Sequence, residues 1–521
     1  MKKKLMAVIL SLALLIASGS TALAADSTIT ISKTDANPGH TYHAFQIFAG
    51  TITDGKLVDI TWGDGVDSTA LIQALAVKYP DGGFTEGMSA SAAAEKINAL
   101  GLASTTAANP GDPAAGANEL ATIININLTD KSYSSTEGTD SYTISAPTGY
   151  YLVTDSTTAT DSAYSLRILT LTDQSAITPK SDVPSVDKKV EKVDGTYDTT
   201  AVWSEGDVFN FQITGTIPTN YDVYSKYEYQ FNDTFQQVDG KYVFDYFGSA
   251  TVTAVHSDGT STDVTNAFTI TANDDGSGLK AYTHNLKLSE VKAGDTIVLT
   301  YQAKLNVNSV IGGTGNCNTV NLTYSNNPNV DGVGETGKTP DKKAYVFTYE
   351  LDVNKIDAGT KDKIAGAEFT LQRTSDSKYA TIDSTGHITG WVSDEASATT
   401  VKTVAGTTLQ FIGLDDGVYN LTETKAPTGY NKLTDPITFT ISSTIDSTAT
   451  PPTVATLKLA VGSASAVNGN TTTGIVTTDV ANKSGSSLPS TGGMGSTIII
   501  LCSAMVVAVA GTILYRRRQA K

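Results

Sequence analysis

The chain has 521 residues, and its 53 acidic and 36 basic side chains give it a formal net charge of −17 at pH 7. This balance argues against nucleic acid as a partner, because few basic groups remain to offset repulsion by phosphate. The length exceeds one ordinary domain and fits about three domains of ~150 residues. Of the two cysteines, Cys317 and Cys502, the second lies in a C-terminal apolar segment, so no internal disulfide is expected to strengthen the fold.

The N-terminus has the three parts of a secretory signal peptide. Three lysines follow Met1, an apolar stretch covers residues 5–16, and Ala22-Leu23-Ala24 supplies the small residues of a cleavage site. We therefore predict that residues 1–24 are removed on export.

Short alternating runs rich in Val, Ile, Thr and Tyr, broken by Gly, Asn and Asp, fill the region between the two terminal segments. This pattern predicts an all-β fold of tandem immunoglobulin-like β-sandwiches. The exception is residues 68–100, where 69–78 and 91–100 have helical spacing, which predicts a small helical insertion in the first domain.

Clusters of proline and lysine near residues 180 and 340 indicate the domain boundaries. They divide the exported chain into a first domain at 25–183, a second at 184–340 and a third at 341–485. A Ser/Gly-rich linker then leads into a terminal signal, residues 486–521, and keeps it accessible.

In the second domain, strand alternation places three polar residues on inward faces. Lys188 shares its face with Val190, Asp233 shares one with Phe231, and Asn318 follows the same parity in its own strand. The third domain repeats the order of lysine early, acid in the middle and asparagine late, with Lys355, Glu423 and Asn482.

A lysine, an acid and an asparagine in an apolar core can react with one another. An isolated buried charge costs several kcal/mol, and desolvation favours a neutral amine and a protonated acid. The amine is then a nucleophile, while the acid polarises the amide and transfers protons as ammonia leaves. Each triad thus predicts a Lys-Asn isopeptide bond, with Asp233 and Glu423 assisting. The alternative is that each lysine reaches solvent or forms an ordinary ion pair. It is the better reading of one triad alone, but two triads in the same order favour the cross-link.

The first domain lacks such a triad. Lys33 follows an inward-facing pattern, yet residues 145–150 contain no glutamate and residues 166–177 contain no asparagine. We predict no isopeptide bond in this domain, which should then be the least stable of the three.

The C-terminus combines a pentapeptide, an apolar run and a basic tail. Leu488-Pro489-Ser490-Thr491-Gly492 precedes apolar residues 498–515, which are long enough to cross a bilayer of about 30 Å, and basic residues that stay cytoplasmic. Pro489 and the glycines after it keep the peptide extended. The alternative reading is a plain membrane anchor with a chance pentapeptide.

With these motifs, the sequence resembles sortase-polymerised backbone pilins of Gram-positive bacteria over essentially its full length. The pentapeptide is similar to the LPxTG substrate that sortases cut, here between Thr491 and Gly492. Residues 419–430 resemble the YxLxETxAPxGY E-box of collagen-adhesin B-type domains, and the second domain resembles the A-type pilin domain. The resemblance implies bonds between Lys355 and Asn482, and between Lys188 and Asn318.

The resemblance also implies an acceptor lysine at the end of the first domain. Residues 178–181, Thr-Pro-Lys-Ser, occupy the place of a YPKN-like pilin motif but lack its Tyr and Asn. We predict Lys180 as the acceptor, against the alternative of a solvated linker lysine with Lys189 or Lys192 as substitute.

The sequence therefore predicts a structural protein with no cofactor, not an enzyme. A class C pilus sortase would join Thr491 to Lys180 of another copy, accessory pilins would join the fibre, and a housekeeping sortase would attach it to peptidoglycan. The alternative is a monomeric wall-anchored adhesin that uses the same domains as a stalk for a host ligand. An enzyme is a distant third, since no catalytic set can be assembled.

Three other signals carry less weight. Residues 332–339 match the P-loop pattern, but no strand precedes them and no helix follows, so we do not expect nucleotide binding. Residues 273–276 form a predicted turn, for which weak calcium binding stays open. Cys317 faces opposite to Asn318 and is expected to be a plain small residue.

Overall fold

The computed structural model describes residues 26–33, 39–102, 115–156, 162–165, 167–172, 177–179, 181–330 and 332–485. The predicted signal peptide, Lys180 and the predicted sorting signal lie outside these ranges. Strands dominate the described part, which confirms the all-β prediction. Among the described residues, no helix combines the length and the hydropathy of a membrane span.

The first domain joins two sheets and three helices. One sheet has the order β1-β6-β5, and the other has the order β3-β2-β7-β8 with β4 beside β2. A 3₁₀ turn, Pro80–Gly82, follows the first helix. In chain order the elements are β1 Asp26–Ser32, β2 Tyr42–Thr53, β3 Lys56–Trp62, α1 Ser68–Lys78, α2 Ala90–Ala99, α3 Ala115–Asn125, β4 Tyr133–Ser134, β5 Thr136–Glu137, β6 Ser141–Pro147, β7 Gly149–Asp155 and β8 Ile168–Leu171.

The helices of the first domain cover one face of the larger sheet. The side chains of Asp67 and Ser89 accept backbone hydrogen bonds that cap α1 and α2, at 3.0 and 3.3 Å. Apolar residues of all three helices, such as Leu71, Ile97 and Leu120, form one buried cluster with the sheet. The predicted helices α1 and α2 are therefore confirmed, whereas α3 was not predicted.

The second domain is a sandwich of two larger sheets, ordered β10-β9-β12-β20-β16-β17 and β11-β23-β21-β13-β19-β18, with β22 beside β21. Short 3₁₀ turns lie at Tyr221–Val223 and Thr265–Ala267. The strands are β9 Val186–Glu191, β10 Tyr197–Asp198, β11 Thr200–Val202, β12 Val208–Thr216, β13 Tyr229–Phe235, β14 Gln237–Val238, β15 Lys241–Tyr242, β16 Phe244–Val255, β17 Ser261–Asp263, β18 Thr269–Ala272, β19 Gly278–Thr283, β20 Thr296–Leu305, β21 Asn316–Ser325, β22 Thr336–Lys338 and β23 Lys342–Phe347.

The third domain packs a three-stranded sheet, ordered β29-β24-β34, against a larger one ordered β27-β26-β25-β30-β31-β32-β33 with β28 beside β25. A 3₁₀ turn lies at Glu395–Ser397. The strands are β24 Tyr349–Asp357, β25 Glu368–Arg373, β26 Tyr379–Ile382, β27 Ile388–Val392, β28 Val401–Lys402, β29 Leu409–Leu414, β30 Gly417–Lys425, β31 Ile437–Asp446, β32 Thr453–Val461, β33 Val467–Asn468 and β34 Ile475–Asn482.

The chain passes from the second sandwich to the third at Thr348. Residues 347–355 form one alternating pattern in the sequence, but Phe347 ends β23 and Tyr349 begins β24. Strand β23 pairs with β21 and β11 of the second sandwich, although the predicted third domain began at residue 341. By strand pairing, residues 342–347 lie in the second sandwich.

Polar side chains join the second and third sandwiches beside this crossing. Buried Glu205 contacts His387 Nδ1 at 2.8 Å and accepts a hydrogen bond from Ser309 at 2.7 Å. The contact with Glu205 raises the pKa of His387 above its ordinary value. Arg373 of the third sandwich pairs with Asp207 of the second at 2.5 Å. These charge-assisted contacts fix the two domains against each other.

Two glycines allow the backbones of these two domains to approach closely. Gly312 has a φ of +62°, and a Cβ built on it would lie 2.3 Å from the Cα of Gly474. The neighbouring Gly313 N donates to Thr471 O at 3.1 Å. A side chain on Gly312 or on Gly474 would push the two loops apart.

We expect Gly312→Ala to lower the thermal midpoint of these two domains more than Gly462→Ala does. Gly462 is a matched control, because its φ of +55° carries similar strain while no atom lies within 4 Å of a Cβ there. The excess destabilisation is the cost of overpacking, about 1–3 kcal/mol. Calorimetry of the full chain measures it, and equal shifts for the two variants would contradict the close approach.

Candidate cross-linking sites

Strand pairing brings the third-domain lysine and asparagine together. Strands β24 and β34 are parallel neighbours, with Lys355 opposite Val480 and Asp357 opposite Asn482. Glu423 projects from β30 in the facing sheet, so the three polar side chains meet between the two sheets. Lys355 and Glu423 are 2% exposed and Asn482 is fully buried, so this site excludes water.

The contacts in this site form a closed network. Lys355 Nζ contacts Asn482 Oδ1 and lies 3.3 Å from Glu423 Oε1. Asn482 Nδ2 donates to both Glu423 oxygens, at 2.9 and 3.1 Å, and to Asn431 O at 3.1 Å. The backbone N–H of Leu433 donates to Glu423 Oε2 at 2.8 Å and fixes the carboxyl group. One carboxyl group therefore touches both the amine and the amide nitrogen.

Burial lowers the pKa of Lys355, although the attraction of Glu423 opposes the shift. The amine also lies 5.4 Å from the centroid of the Phe369 ring, which is an apolar neighbour. A lower pKa raises the fraction of neutral amine, which is the nucleophilic form.

In the second domain, Lys188 of β9, Asp233 of β13 and Asn318 of β21 lie between the two sheets and are at most 1% exposed. Lys188 Nζ contacts Asp233 Oδ2 and lies 4.7 Å from the centroid of the Phe211 ring. Burial lowers the pKa of Lys188, and the attraction of Asp233 opposes this effect. The structure thus brings Lys188 and Asp233 of the predicted second triad into contact, and Asn318 meets them through a fourth residue.

A fourth residue of this site, Tyr301, was missed by the sequence analysis. Its hydroxyl donates to Asp233 Oδ1 at 2.7 Å and accepts from Asn318 Nδ2 at 2.7 Å. It also lies 3.5 Å from Lys188 Nζ. The signal in the sequence is the alternation of strand β20, which turns Tyr301 inward, but nothing in that pattern shows which core tyrosine meets the triad.

The first-domain lysine has a different environment. Lys33 has a side chain that is 25% exposed and pairs with Glu137 at 2.5 Å. Hydrogen bonding to Glu137 raises the pKa of Lys33, so the amine is charged at neutral pH. A charged amine is not nucleophilic. The absence of a cross-link in this domain stays a prediction.

The predicted acceptor Lys180 and the motif Leu488 to Gly492 lie outside the described residues. The residues beside Lys180, Pro179 and Ser181, are both buried. Residues 336–338 of the P-loop-like segment form strand β22, paired with β21, where a nucleotide site would need a helix. Just before it, Asn329 Oδ1 accepts from the backbone of Arg167 at 2.9 Å and joins the second domain to the first.

Comparison with known proteins gives matches in sequence and in fold. Residues 349–451 match the family model of the SpaA prealbumin-like fold domain. The trypsin-resistant surface T6 protein of Streptococcus pyogenes serotype M6 is 30% identical over 149 residues, which span 26% of this chain and 24% of that protein. The chain thus matches about a quarter of the length of this curated relative.

The structure of the T6 backbone pilin of serotype M6 Streptococcus pyogenes superposes with a TM-score of 0.53 at 18% identity, covering 90% of this chain and 100% of that one. The chain has the fold of a Gram-positive backbone pilin. The full-length major pilin SpaD of Corynebacterium diphtheriae has a TM-score of 0.48 at 15% identity, over 88% of this chain and 98% of that one.

The burial of the Lys188 amine predicts how the free energy of unfolding depends on pH. Asn318→Ala leaves Lys188 as a free amine whose folded pKa lies below the unfolded value of 10.5. Between these two values the unfolded chain binds more protons, so the free energy of unfolding should rise with pH, by at most about 1.4 kcal/mol per pH unit.

Denaturant unfolding at several alkaline pH values measures this slope. Lys188→Met added to Asn318→Ala is the control, because it removes the titrating group and keeps an apolar side chain of similar length. If the two variants show the same dependence on pH, the amine is not desolvated.

Proposed function

We propose that the chain is the repeating subunit of a covalent pilus shaft, and that its second and third domains are closed by internal Lys-Asn isopeptide bonds. The observation that carries the proposal is the contact of the buried Lys355 amine with the amide of Asn482, under a carboxyl group that touches both. An ordinary ion pair would need the lysine and the acid but no asparagine.

The reaction in the third domain needs no external reagent. The Lys355 amine attacks Cγ of Asn482, so that the Nζ–Cγ bond forms and the Cγ–Nδ2 bond breaks. Glu423 takes one proton from Nζ and gives one to Nδ2, which leaves as ammonia. The carboxyl group is unchanged at the end, and its contacts of 2.9 to 3.3 Å with both nitrogens suit this transfer.

The second domain supports the same reaction between Lys188 and Asn318, with Asp233 as the assisting acid. Each bond would close a loop that includes most of its sandwich. By analogy with a disulfide, closing a loop of about 100 residues removes chain entropy worth about 4.7 kcal/mol from the unfolded state.

Polymerisation would proceed through the two predicted sortase positions. A class C sortase cuts after Thr491 and transfers its carbonyl group to Lys180 of the next copy. Accessory pilins join the fibre in the same way, and a housekeeping sortase finally links it to peptidoglycan on the bacterial surface. The signal peptide, the C-terminal motif and the pilin fold support this assignment.

The position of Lys180 accounts for the difference between the domains. Tension between neighbouring subunits would enter at Lys180, cross the Lys188–Asn318 bond, follow the chain to the Lys355–Asn482 bond and leave through the C-terminus. The strands and helices of the first domain precede Lys180 and lie off this route. The domain therefore needs no cross-link, in agreement with the partly exposed, ion-paired state of its lysine.

We expect the exported chain to weigh about 34 Da less than its sequence, since each bond releases one ammonia of about 17 Da. Asn318→Ala and Asn482→Ala should each retain one bond, and the double variant none. Asn354→Ala is the control, because Asn354 lies on β24 near the same site but faces Asp479 outside the core. Intact-mass spectrometry decides, and an unmodified mass would refute both bonds.

In the native host, we expect a ladder of high-mass species that survives boiling in detergent. Lys180→Ala should abolish the ladder, because it removes the acceptor amine, while Lys192→Ala, in the turn between β9 and β10, should leave it unchanged. Immunoblots of cell-wall extracts measure the ladder. A ladder that survives Lys180→Ala would move the acceptor to another lysine, and a single monomer band in the unsubstituted strain would favour the wall-anchored adhesin.

A further inference from the structure

The Tyr301 hydroxyl lies between the two nitrogens that would exchange places in the second domain. It is 2.7 Å from Asn318 Nδ2, 3.5 Å from Lys188 Nζ and 2.7 Å from Asp233 Oδ1. We propose that Tyr301 is a catalytic residue that relays a proton to the leaving nitrogen of Asn318. This inference rests on the proposed Lys188–Asn318 bond and goes beyond it.

The two sites differ in how the acid reaches the amide. In the third domain, Glu423 accepts hydrogen bonds from Asn482 Nδ2 directly. In the second domain, Asp233 is one methylene shorter, and its carboxyl group contacts Lys188 and Tyr301. The tyrosine hydroxyl thus stands where the longer carboxyl group stands in the other sandwich.

The amide of Asn318 presents its leaving atom to this hydroxyl. Nδ2 donates to Tyr301 Oη, while Oδ1 is buried without a hydrogen-bond partner among the described residues. Since Tyr301, Lys188 and Asn318 are fully buried, bulk water cannot replace the hydroxyl as a proton carrier. The relay therefore has to come from a side chain.

Each proton that leaves one group in this relay is taken up by another. Lys188 Nζ attacks Cγ of Asn318, and the amine gives one proton to Asp233. The Tyr301 hydroxyl turns and gives its proton to Nδ2, and the Cγ–Nδ2 bond breaks to release ammonia. Asp233 then returns the proton to the phenolate oxygen, so that both side chains end as they began.

The hydroxyl is suited to a transient role. Burial, followed by the nearby charge of Asp233, raises the pKa of Tyr301 well above its ordinary value, so the resting group is protonated. The rings of Phe211 and Tyr246 pack against it, at centroid distances of 5.7 and 5.9 Å, and hold its position. A fixed, protonated hydroxyl can donate without prior ionisation.

The test follows bond formation in the full chain after pulse labelling, with cross-linked peptides quantified by mass spectrometry. Tyr301→Phe keeps the ring and removes the relay, so the Lys188–Asn318 peptide should form at least 100-fold more slowly. The Lys355–Asn482 peptide should form at the original rate, which shows that the variant folds. Tyr229→Phe is the matched control, because it removes a hydroxyl of the same core that bonds to Thr216 O and not to the triad.

A second variant separates the relay from packing. Asp233→Glu combined with Tyr301→Phe should regain part of the lost rate, because the longer acid reaches Asn318 directly as Glu423 reaches its own amide. Failure of this rescue, or an unchanged rate in Tyr301→Phe alone, would overturn the relay. If the unsubstituted chain forms only the third-domain peptide, the second cross-link itself is refuted, and the relay falls with it.

Discussion

The burial of two lysine amines is the constraint on which the two C-terminal sandwiches depend. A buried ammonium without full compensation costs several kcal/mol, and each amine has a single acid to balance it in an otherwise aromatic and aliphatic core. A permanent ion pair would keep that cost. The proposed conversion to an amide would remove the charge, leave a neutral group that the core tolerates, and tie together strands that are distant in sequence.

The two sandwiches use different side chains to connect the acid to the asparagine amide. Glu423 spans the whole site, and its position is set by Leu433 N–H in the loop after the E-box. Asp233 does not span its site, and the Tyr301 hydroxyl fills the remaining distance. The proposed chemistry would therefore place different demands on the surrounding strands, and the shorter acid would make the second site dependent on a residue from β20.

Local patterns in the sequence account for a large part of this structure. Strand parity placed Lys188 and Lys355 in the core, and helical spacing found α1 and α2. Helix α3 was missed, because its first turns follow a Gly/Ala/Pro-rich stretch that reads as a loop. Tyr301 was missed because contacts across a sandwich are set by tertiary packing and not by period. The strand break at Thr348 was missed for the same reason, since Phe347 and Tyr349 continue one alternating pattern while pairing with different sheets.

The parallel pairing of β24 and β34 has a mechanical consequence. Strand β24 is tied at its start to the second sandwich, and β34 leads from its end towards the C-terminus. A pull on these two ends shears the strands past each other. The backbone hydrogen bonds along the pairs from Glu350–Ile475 to Asp357–Asn482 then carry the load together and do not break one after another. In the proposed pilus, a subunit would thus resist extension even before its amine has reacted.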